Sequence, residues 1–419
     1  MKYKYLIPAL LLMGIALFAV SSCKDINTNY DPRFEKDGTF VSDYEDTIDF
    51  APEPPQRVKF YVEVSGSMNG FFRPNCPTEF KADVWQILRY YSSLIPEVAI
   101  LTNDGNMGTT VSRKSFQTMM NTGAFISSAS TKVPVMLQTI LDNLNTDEGE
   151  VAVLVSDMKY SPVGSAAPEV LMTEYSTDIS EIFGKSQKAV CLVCATSDYL
   201  DKTGKTMCDK SPYYFLIIGN DRQVAEMRNG ISTLLDNNGH FVDNIESGFT
   251  YGAPNYSFGI PDNCIQMDDD NPTFCDFDPS ENDTCTIKLK VNLENYRWLI
   301  ANQQYIDSAF KAKALYGSNV KVDNIKLEIK NITQQDLKRK ATAIVDLKIF
   351  DLATDSEVIE WTLELPDTDV TLFSPFLGAT QESDVTGSYS LDRFIKGMFY
   401  GGVVNKPLNN NYILISKNS

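Results

Sequence analysis

Strand-like apolar runs alternate with amphipathic helical stripes over residues 56–240, and this alternation limits the choice of fold. Val151–Val155 is a continuous apolar run, the kind that is buried on both faces of a parallel sheet. Val224, Met227 and Ile231 fall on one face of a helix that follows a later strand. Strands that alternate with helices in this way predict an α/β domain with a doubly wound, mostly parallel sheet.

The elements of this domain can be placed from the apolar period. Strands are predicted at residues 60–64, 98–101, 151–155, 189–195 and 213–218. Helices are predicted at residues 80–94, from near Val135 to Leu144, and at 168–184 and 221–235. Residues 103–130 show no clear period.

A second, β-rich domain is predicted at residues 286–419 because the apolar period changes there to two. Ile287 and Leu289 alternate with polar residues, and the same alternation recurs before a last strand at 411–417. Repeated half-buried strands predict an antiparallel, sandwich-like domain. A helical stripe at 390–399 is expected to pack on its sheet.

Residues 241–285 are predicted to be an acidic linker between the two domains. Asp276, Asp278, Ser280 and Asn282 alternate there as the ligands of a calcium loop do. The glycine and the terminal glutamate of an EF-hand are missing. A solvated acidic loop is therefore the favoured interpretation, and a calcium site is the alternative.

Residues 1–22 have the pattern of a bacterial lipoprotein signal peptide. Lysines at the start precede an apolar stretch at 5–20, and Val20-Ser-Ser-Cys23 resembles a lipobox. A transmembrane anchor is the alternative, although the apolar stretch is short. Cleavage would make Cys23 the lipidated first residue, followed by a polar, proline-bearing tether at 23–55. The chain is then predicted to lie in the bacterial cell envelope, held on a membrane by its lipid, with the outer membrane favoured.

The composition argues against several functions. The formal charge of −18 argues against binding to nucleic acid and against docking on anionic lipid by charge, and no basic strip is visible in the sequence. His240 is the only histidine, which argues against a Ser-His-Asp hydrolase, a Cys-His protease and a histidine-rich zinc site. Cys191 and Cys194 lie three apart in a predicted strand, so they are expected to be buried on opposite faces rather than to form a redox pair.

The strand at 60–64 ends in a carboxylate and two hydroxyls. Glu63, Ser65 and Ser67 take alternate positions there, just before an amphipathic helix. Ligands of open α/β sheets bind outside the carboxyl ends of the strands, and hard cations such as Mg²⁺ prefer oxygen ligands. The pattern therefore indicates a candidate cation site. The alternative is that the hydroxyls only cap strand ends and helix N-termini.

This stretch resembles the metal-ion-dependent adhesion motif Asp-x-Ser-x-Ser of von Willebrand factor type A (VWA) domains, with Glu63 in the place of the aspartate. The family has a threonine on a second loop before a helix and an aspartate at the end of a later strand, where this chain has Thr131 and Asp157. The resemblance implies that Ser65, Ser67 and Thr131 offer hydroxyl oxygens to Mg²⁺, or to Ca²⁺ or Mn²⁺. Glu63 and Asp157 would then supply the negative charge.

The resemblance also implies a function in protein binding. An open position on the cation would accept a carboxylate from a protein partner at the C-terminal ends of the strands. Phe71, Phe72 and Arg73 follow the motif and are expected either to form a rim beside the site or to be core residues that seat the first helix. Two residues depart from the family pattern: Glu63 is one methylene longer than aspartate, and Met158 stands where the family often has glycine.

The sequence thus predicts a membrane-anchored lipoprotein that binds a protein partner and is not an enzyme. A structural component of an envelope assembly, with a degenerate, metal-free site, is the first alternative. A metal-dependent hydrolase is the second, although Ser65 and Ser67 have no evident general base and the chain has no Gly-x-Ser-x-Gly motif.

Overall fold

The computed structural model describes most of the chain between residues 50 and 417. The described ranges are 50–102, 107–125, 132–160, 167–250, 256–259, 264–265, 274–277, 284–293, 296–300, 303–327, 342–351, 356–364, 373–402 and 409–417. The predicted signal peptide, the lipidation site Cys23, most of the tether, and Thr131 lie outside these ranges.

A seven-stranded sheet forms the centre of the N-terminal half. Its strands are β1 (Arg57–Glu63), β2 (Glu97–Leu101), β3 (Met107–Ser112), β4 (Glu150–Ser156), β5 (Ala189–Leu200), β6 (Thr206–Gly219) and β7 (Phe241–Ser247). Their order across the sheet is β3-β2-β1-β4-β6-β5-β7. β1 pairs in parallel with β2 on one side and with β4 on the other. All seven residues of β4 are buried, as its continuous apolar run predicts.

The prediction of a mostly parallel, doubly wound sheet is wrong, because the remaining pairs are antiparallel. β6 lies between β4 and β5 and runs opposite to both. Parallel neighbours need a crossover of a dozen residues or more, whereas a hairpin needs only a few. β5 ends at Leu200 and β6 begins at Thr206, which leaves room for a hairpin alone. The fold is therefore mixed α/β with a mostly antiparallel sheet.

Helices cover both faces of this sheet. They are α1 (Glu79–Tyr90), α2 (Arg113–Thr122), α3 (Val133–Asp142), α4 (Pro168–Ser186) and α5 (Asp221–Asn237). Buried residues of α1, α2 and α5 share one core with Phe60 and Val62 of β1. Buried residues of α3 and α4 share the opposite core with Tyr61. This alternation along β1 is the strand period seen in the sequence. β3 and α2 occupy the stretch in which the sequence shows no period.

Two smaller sheets belong to the C-terminal half, with the orders β12-β15-β16-β10-β9 and β13-β14-β11-β8. Their strands are β8 (Tyr256–Gly259), β9 (Cys264–Ile265), β10 (Phe274–Phe277), β11 (Thr284–Val291), β12 (Phe310–Ala314), β13 (Asn319–Leu327), β14 (Ala343–Phe350), β15 (Ser356–Leu363) and β16 (Asn409–Lys417). The described pairs are antiparallel except β10 with β16. The predicted linker 241–285 is more than a linker, because it supplies β7 to the first sheet and β8, β9 and β10 to the others.

The last helix joins the two halves. α6 (Arg297–Ile300) and α7 (Gln303–Ala309) are short, and α8 (Leu391–Gly402) follows the C-terminal strands in sequence. α8 packs along α4 and also contacts β5 and β7 of the seven-stranded sheet. This helix is expected from the sequence to pack on the C-terminal sheet, and its main helix partner is instead α4 of the N-terminal half. Its buried side chains belong to a core that is continuous with the N-terminal half.

Two further features bear on the predictions. Cys191 and Cys194 are free, buried thiols in the opposite cores of β5, as predicted. Burial raises the pKa of both thiols well above the usual value, so they stay protonated. Among the helices of the described ranges, none is long and apolar enough to cross a membrane.

Candidate functional site at the ends of β1 and β4

The structure places the two predicted acidic residues at the same edge of the sheet. β1 and β4 are parallel neighbours with Val62 opposite Val155, so Glu63 and Asp157 leave the sheet at the same edge. Ser65 and Ser67 lie in the turns that follow β1, with their hydroxyl oxygens 2.9 Å apart. Glu63, Ser65 and Asp157 are fully buried. Four of the five predicted ligands therefore lie at this edge of the sheet, and the fifth, Thr131, is outside the described residues.

Glu63 is bound to the neighbouring strand. Its carboxylate accepts a hydrogen bond from the hydroxyl of Ser156, the last residue of β4. The same hydroxyl oxygen accepts a hydrogen bond from the Met158 backbone N–H at 2.8 Å. The additional methylene of Glu63, compared with aspartate, lets the carboxylate reach across to β4. The side chain thus ties two strand ends together.

Asp157 faces a lysine two residues later in the chain. The Lys159 ammonium lies 3.8 Å from Asp157 Oδ2, and both side chains are almost completely buried. The ammonium also donates a hydrogen bond of 2.7 Å to the Asp384 carbonyl. Asp157 Oδ2 has no hydrogen-bond partner within the described residues, so Lys159 is the group that compensates its charge.

The turn that holds this pair has an unusual backbone. Met158, between the two charged residues, has φ +54° and is fully buried. Positive φ is uncommon for a residue with a side chain and is easy for glycine. Met158, at a position where VWA domains often have glycine, thus adopts a backbone conformation that glycine favours and fills the turn with a core side chain.

A segment of the C-terminal half closes the site. We call residues 384–390 the covering segment. The Ser388 hydroxyl donates a hydrogen bond to the Asp157 carbonyl at 2.7 Å, and the Ser390 hydroxyl donates one to the Tyr160 carbonyl at 2.8 Å. The Tyr160 N–H donates one to the Tyr389 carbonyl at 3.2 Å. The covering segment therefore runs along the edge where a VWA-type ligand would be expected.

Two features of the described residues argue against a divalent cation at this edge, namely the partner of Glu63 and the ammonium beside Asp157. Magnesium needs a near-octahedral shell of oxygen ligands and usually keeps several waters. Here the carboxylate of Glu63 is engaged by Ser156, and an ammonium already faces Asp157. A second cation beside Lys159 would be repelled in this buried place.

The predicted aromatic rim is not formed by its phenylalanines. Phe71 and Phe72 are fully buried and pack on Phe80 of α1, with ring centroids 5.2 and 5.1 Å away. Arg73 is half-buried and donates a hydrogen bond to the Leu200 carbonyl at 3.5 Å. The second interpretation of these residues, as the seat of the first helix, agrees with this packing.

The lone histidine belongs to a separate polar cluster under α1. His240 Nδ1 lies 2.7 Å from Asp83 Oδ2. The Asp83 carboxylate also accepts hydrogen bonds from the Tyr213 hydroxyl at 2.6 Å and from Asn238 Nδ2 at 2.7 Å. β7, which His240 precedes, is three strands from β4 in the sheet, or roughly 14 Å at the usual strand spacing. His240 is therefore not a general base for Ser65 or Ser67.

The covering segment and Lys159 are the parts of the site that the sequence does not reveal. Ser388 and Asp157 are 231 positions apart in the chain, and no period or motif connects them. Lys159 carries a signal of its own, because it lies two residues after the predicted ligand Asp157. A charge so close to a predicted ligand is a reason to doubt a metal.

Comparison with known proteins assigns no family. No family model matches the chain, and no curated protein does. Among solved structures, the extracellular portion of mouse CD200RLa aligns with 64% of this chain and 94% of its own, at 11% identity and a TM-score of 0.17. A TM-score this low carries no argument about the fold.

Proposed function

We propose that this chain is a lipid-anchored protein of the bacterial cell envelope that acts by protein–protein interaction, with a VWA-like N-terminal half whose strand-end site works without metal. The buried Asp157–Lys159 pair beside the covering segment is the observation that carries the metal-free part of the proposal, and the sequence pattern of residues 1–23 carries the lipid anchor. A buried ammonium beside the aspartate supplies the positive charge that a cation supplies in the family. The strand ends then bind a segment of the same chain.

The local architecture supports the VWA-like part of the proposal. β1 and β4 are adjacent and parallel, and Glu63, Ser65, Ser67 and Asp157 follow them at one edge. The likeness ends after β4, where the β5–β6 hairpin replaces a parallel crossover. The proposal therefore extends to the first four strands and their loops.

A role without catalysis is part of the same proposal. Ser65 and Ser67 hydrogen-bond to each other, and His240 is bound to Asp83 on another part of the sheet. Nucleophilic catalysis needs a base within hydrogen-bond reach of the hydroxyl. The buried position of Ser65 and the covering segment also leave no approach for a substrate to this hydroxyl.

Thermal melting tests the metal-free site. We expect Mg²⁺, Ca²⁺, Mn²⁺ and a chelator to leave the melting temperature of the mature protein unchanged. A cation at 100 times its dissociation constant would add about 2.7 kcal/mol to the free energy of unfolding. A rise in melting temperature that Asp157→Asn removes, and that the exposed control Asp147→Asn keeps, would overturn the metal-free site.

Two further measurements test the lipid anchor and the binding of protein partners. Radiolabelled palmitate should label the wild-type chain in cells and should not label Cys23→Ala. Proteins that co-purify with the chain from envelope membranes should remain bound in the presence of chelator. If a chelator releases these partners, the result would support a contact that is bridged by a metal ion.

A further inference from the structure

The four-stranded sheet of the C-terminal half has one outward side rich in lysine, which we call the lysine face. In β11, Ile287 and Leu289 point into the core while Lys288 and Lys290 are exposed. β14 and β13 continue the same alternation, so their outward residues line up with those of β11. The lysine face consists of Lys288 and Lys290 on β11, Lys348 on β14, and Lys321 and Lys326 on β13.

The charges of the lysine face are poorly balanced by its own residues. Lys321 lies directly opposite Lys348, an arrangement of like charges that destabilises a strand pair. Asp346 is the only acidic residue among the described outward positions of β11 and β14, and it lies opposite Lys288. Asp323, at the irregularity in β13, is 3.2 Å from Lys321. Five lysines and two carboxylates therefore leave an excess of positive charge among the described residues on this side of the sheet.

This excess stands out on a chain of formal charge −18. Three adjacent strands and five residues of length give the lysine face dimensions of roughly 10 by 14 Å. The Debye length at physiological salt is about 8 Å, so charges on distant, acidic parts of the molecule are largely screened from it. A local basic surface can therefore attract an anionic partner although the net charge of the chain is strongly negative.

We propose that the lysine face docks on the anionic lipid headgroups of the membrane to which the chain is tethered. The lipid-anchor part of the proposed function underlies this inference, because the tether keeps the sheet near a bilayer and raises its effective concentration there. Lysines spread over three strands of a sheet can contact a broad anionic surface at several points, whereas they do not enclose a small ligand. Basic residues near an anionic bilayer contribute about 1 kcal/mol each.

Vesicle sedimentation tests the lysine face separately from the lipid. The probe is the mature-length chain with Cys23→Ser, which carries no acyl chain and loses none of the described residues. We expect it to bind vesicles of phosphatidylglycerol and phosphatidylcholine at physiological salt, where the distant acidic surface is screened, and not to bind vesicles of phosphatidylcholine alone. Salt should release it, because the Debye length falls to about 3 Å at 1 M.

A charge-matched pair of variants identifies the surface. Lys288→Gln/Lys290→Gln/Lys348→Gln should bind anionic vesicles about a hundredfold more weakly, following the contribution of each basic residue. The stability of this variant should stay near that of wild type, because relief of the repulsion between Lys321 and position 348 offsets the loss of Lys288 opposite Asp346. The control is Lys202→Gln/Lys205→Gln/Lys210→Gln, which removes three exposed lysines of the β5–β6 hairpin region and should keep the affinity.

Three outcomes would overturn the proposal. They are no binding of the Cys23→Ser chain to anionic vesicles at physiological salt, equal loss in both triple variants, and tight binding to a soluble anionic polysaccharide without binding to vesicles. The last outcome would make the lysine face a glycan-binding surface. Failure of palmitate labelling would instead refute the lipid anchor of the proposed function. The vesicle experiment would still decide whether the lysine face binds anionic lipid, because its probe carries no acyl chain.

Discussion

At the scale of single residues, the Asp157–Lys159 pair determines what the strand ends can do. Moving two charges out of water is costly, and their attraction offsets that cost only where hydrogen bonds satisfy the remaining groups. Lys159 meets this condition through the Asp384 carbonyl, whereas Asp157 meets it only at Oδ1, which accepts from the Lys159 backbone N–H at 3.3 Å, and Oδ2 faces the ammonium at 3.8 Å. Removal of one partner leaves the other buried and uncompensated.

Lys159→Met should therefore lower the free energy of unfolding by roughly 3–5 kcal/mol, measured by urea denaturation. Lys185→Met is the control, because Lys185 forms an ion pair with Glu181 in which both side chains are more than half exposed. Exposed ion pairs contribute little to the free energy of unfolding, so this variant should unfold at the same urea concentration as wild type. Equal effects of the two substitutions would contradict the buried pair.

Glu150 makes the free energy of unfolding depend on pH in the acidic range. Its carboxylate lies 2.7 Å from the Lys59 ammonium and accepts a hydrogen bond from Asn145 N–H at 2.9 Å. Burial alone would raise the pKa of Glu150, but the hydrogen bonds from Lys59 and Asn145 outweigh it and lower the pKa below the usual 4.5. A lowered pKa in the folded state means that the carboxylate stabilises the fold fully above pH 4.5.

This contribution should disappear as the pH falls below 4.5 and through the pKa of the folded state. Glu150→Gln should unfold more easily than wild type near neutral pH, and the difference should shrink as the pH falls. Urea denaturation from about pH 6 to about pH 3 measures this. Glu148→Gln, which alters an exposed carboxylate two residues away, is the control. A constant difference between Glu150→Gln and wild type over the whole range would contradict the assignment.

At the scale of elements, apolar period predicts the strands and helices of the first half but not their pairing. β4 and α5 are clear from the sequence because burial dictates their apolar pattern. The partner of β6 depends instead on a short connection. Asp201 Oδ1 accepts hydrogen bonds from the N–H groups of Thr203 and Lys205, and Gly204 has φ +85°. Asp and Gly in this short stretch are turn signals, and weighing them would have predicted the hairpin.

The contact between α4 and α8 depends on two glycines one helical turn apart. A Cβ on Gly397 would lie 2.5 Å from the Ser176 carbonyl oxygen, and one on Gly401 would lie 2.6 Å from the Ser180 carbonyl oxygen. Both distances are too short for a side chain, so the helices approach at the level of their backbones. Exposed glycines in helices gain stability when replaced by alanine, but these two should not.

Gly401→Ala should lower the free energy of unfolding by about 1–3 kcal/mol, because the added methyl group forces the helices apart. Gly378→Ala is the control, since a Cβ at this position meets no atom within 4 Å. Thermal or urea denaturation compares the two variants. Stabilisation by Gly401→Ala would mean that α8 does not lie against α4 in solution.

At the scale of the whole molecule, the site is built from both halves of the chain. Sequence pattern locates Glu63, Ser65 and Asp157, because strand ends of a sheet are predictable once the strands are known. It does not locate the covering segment, which is distant in the chain and has no period. Nor does it reveal the lysine face, because the five lysines are spread over three strands and meet only when these pair. Features that depend on long-range pairing are the ones that sequence pattern misses.

The two halves should unfold together, because α8 and the covering segment of the C-terminal half complete the core and the strand ends of the N-terminal half. Single-tryptophan variants can measure this. Trp85 lies in α1, and Trp361 is buried in β15 against Phe310. One variant keeps only Trp85 and the other keeps only Trp361, with Trp298 replaced by phenylalanine in both.

Fluorescence of the two variants should give urea midpoints that coincide, as one cooperative transition requires. Introducing Gly401→Ala into each variant extends the test. If α8 couples the two halves, the added methyl group should weaken that coupling. The urea midpoint reported by Trp85 should then fall below the midpoint reported by Trp361. The reason is that the strand ends of β1 and β4 lose their contact with the covering segment. Separate midpoints in the parent variants would show instead that the halves fold independently and that the covering segment closes the site only part of the time.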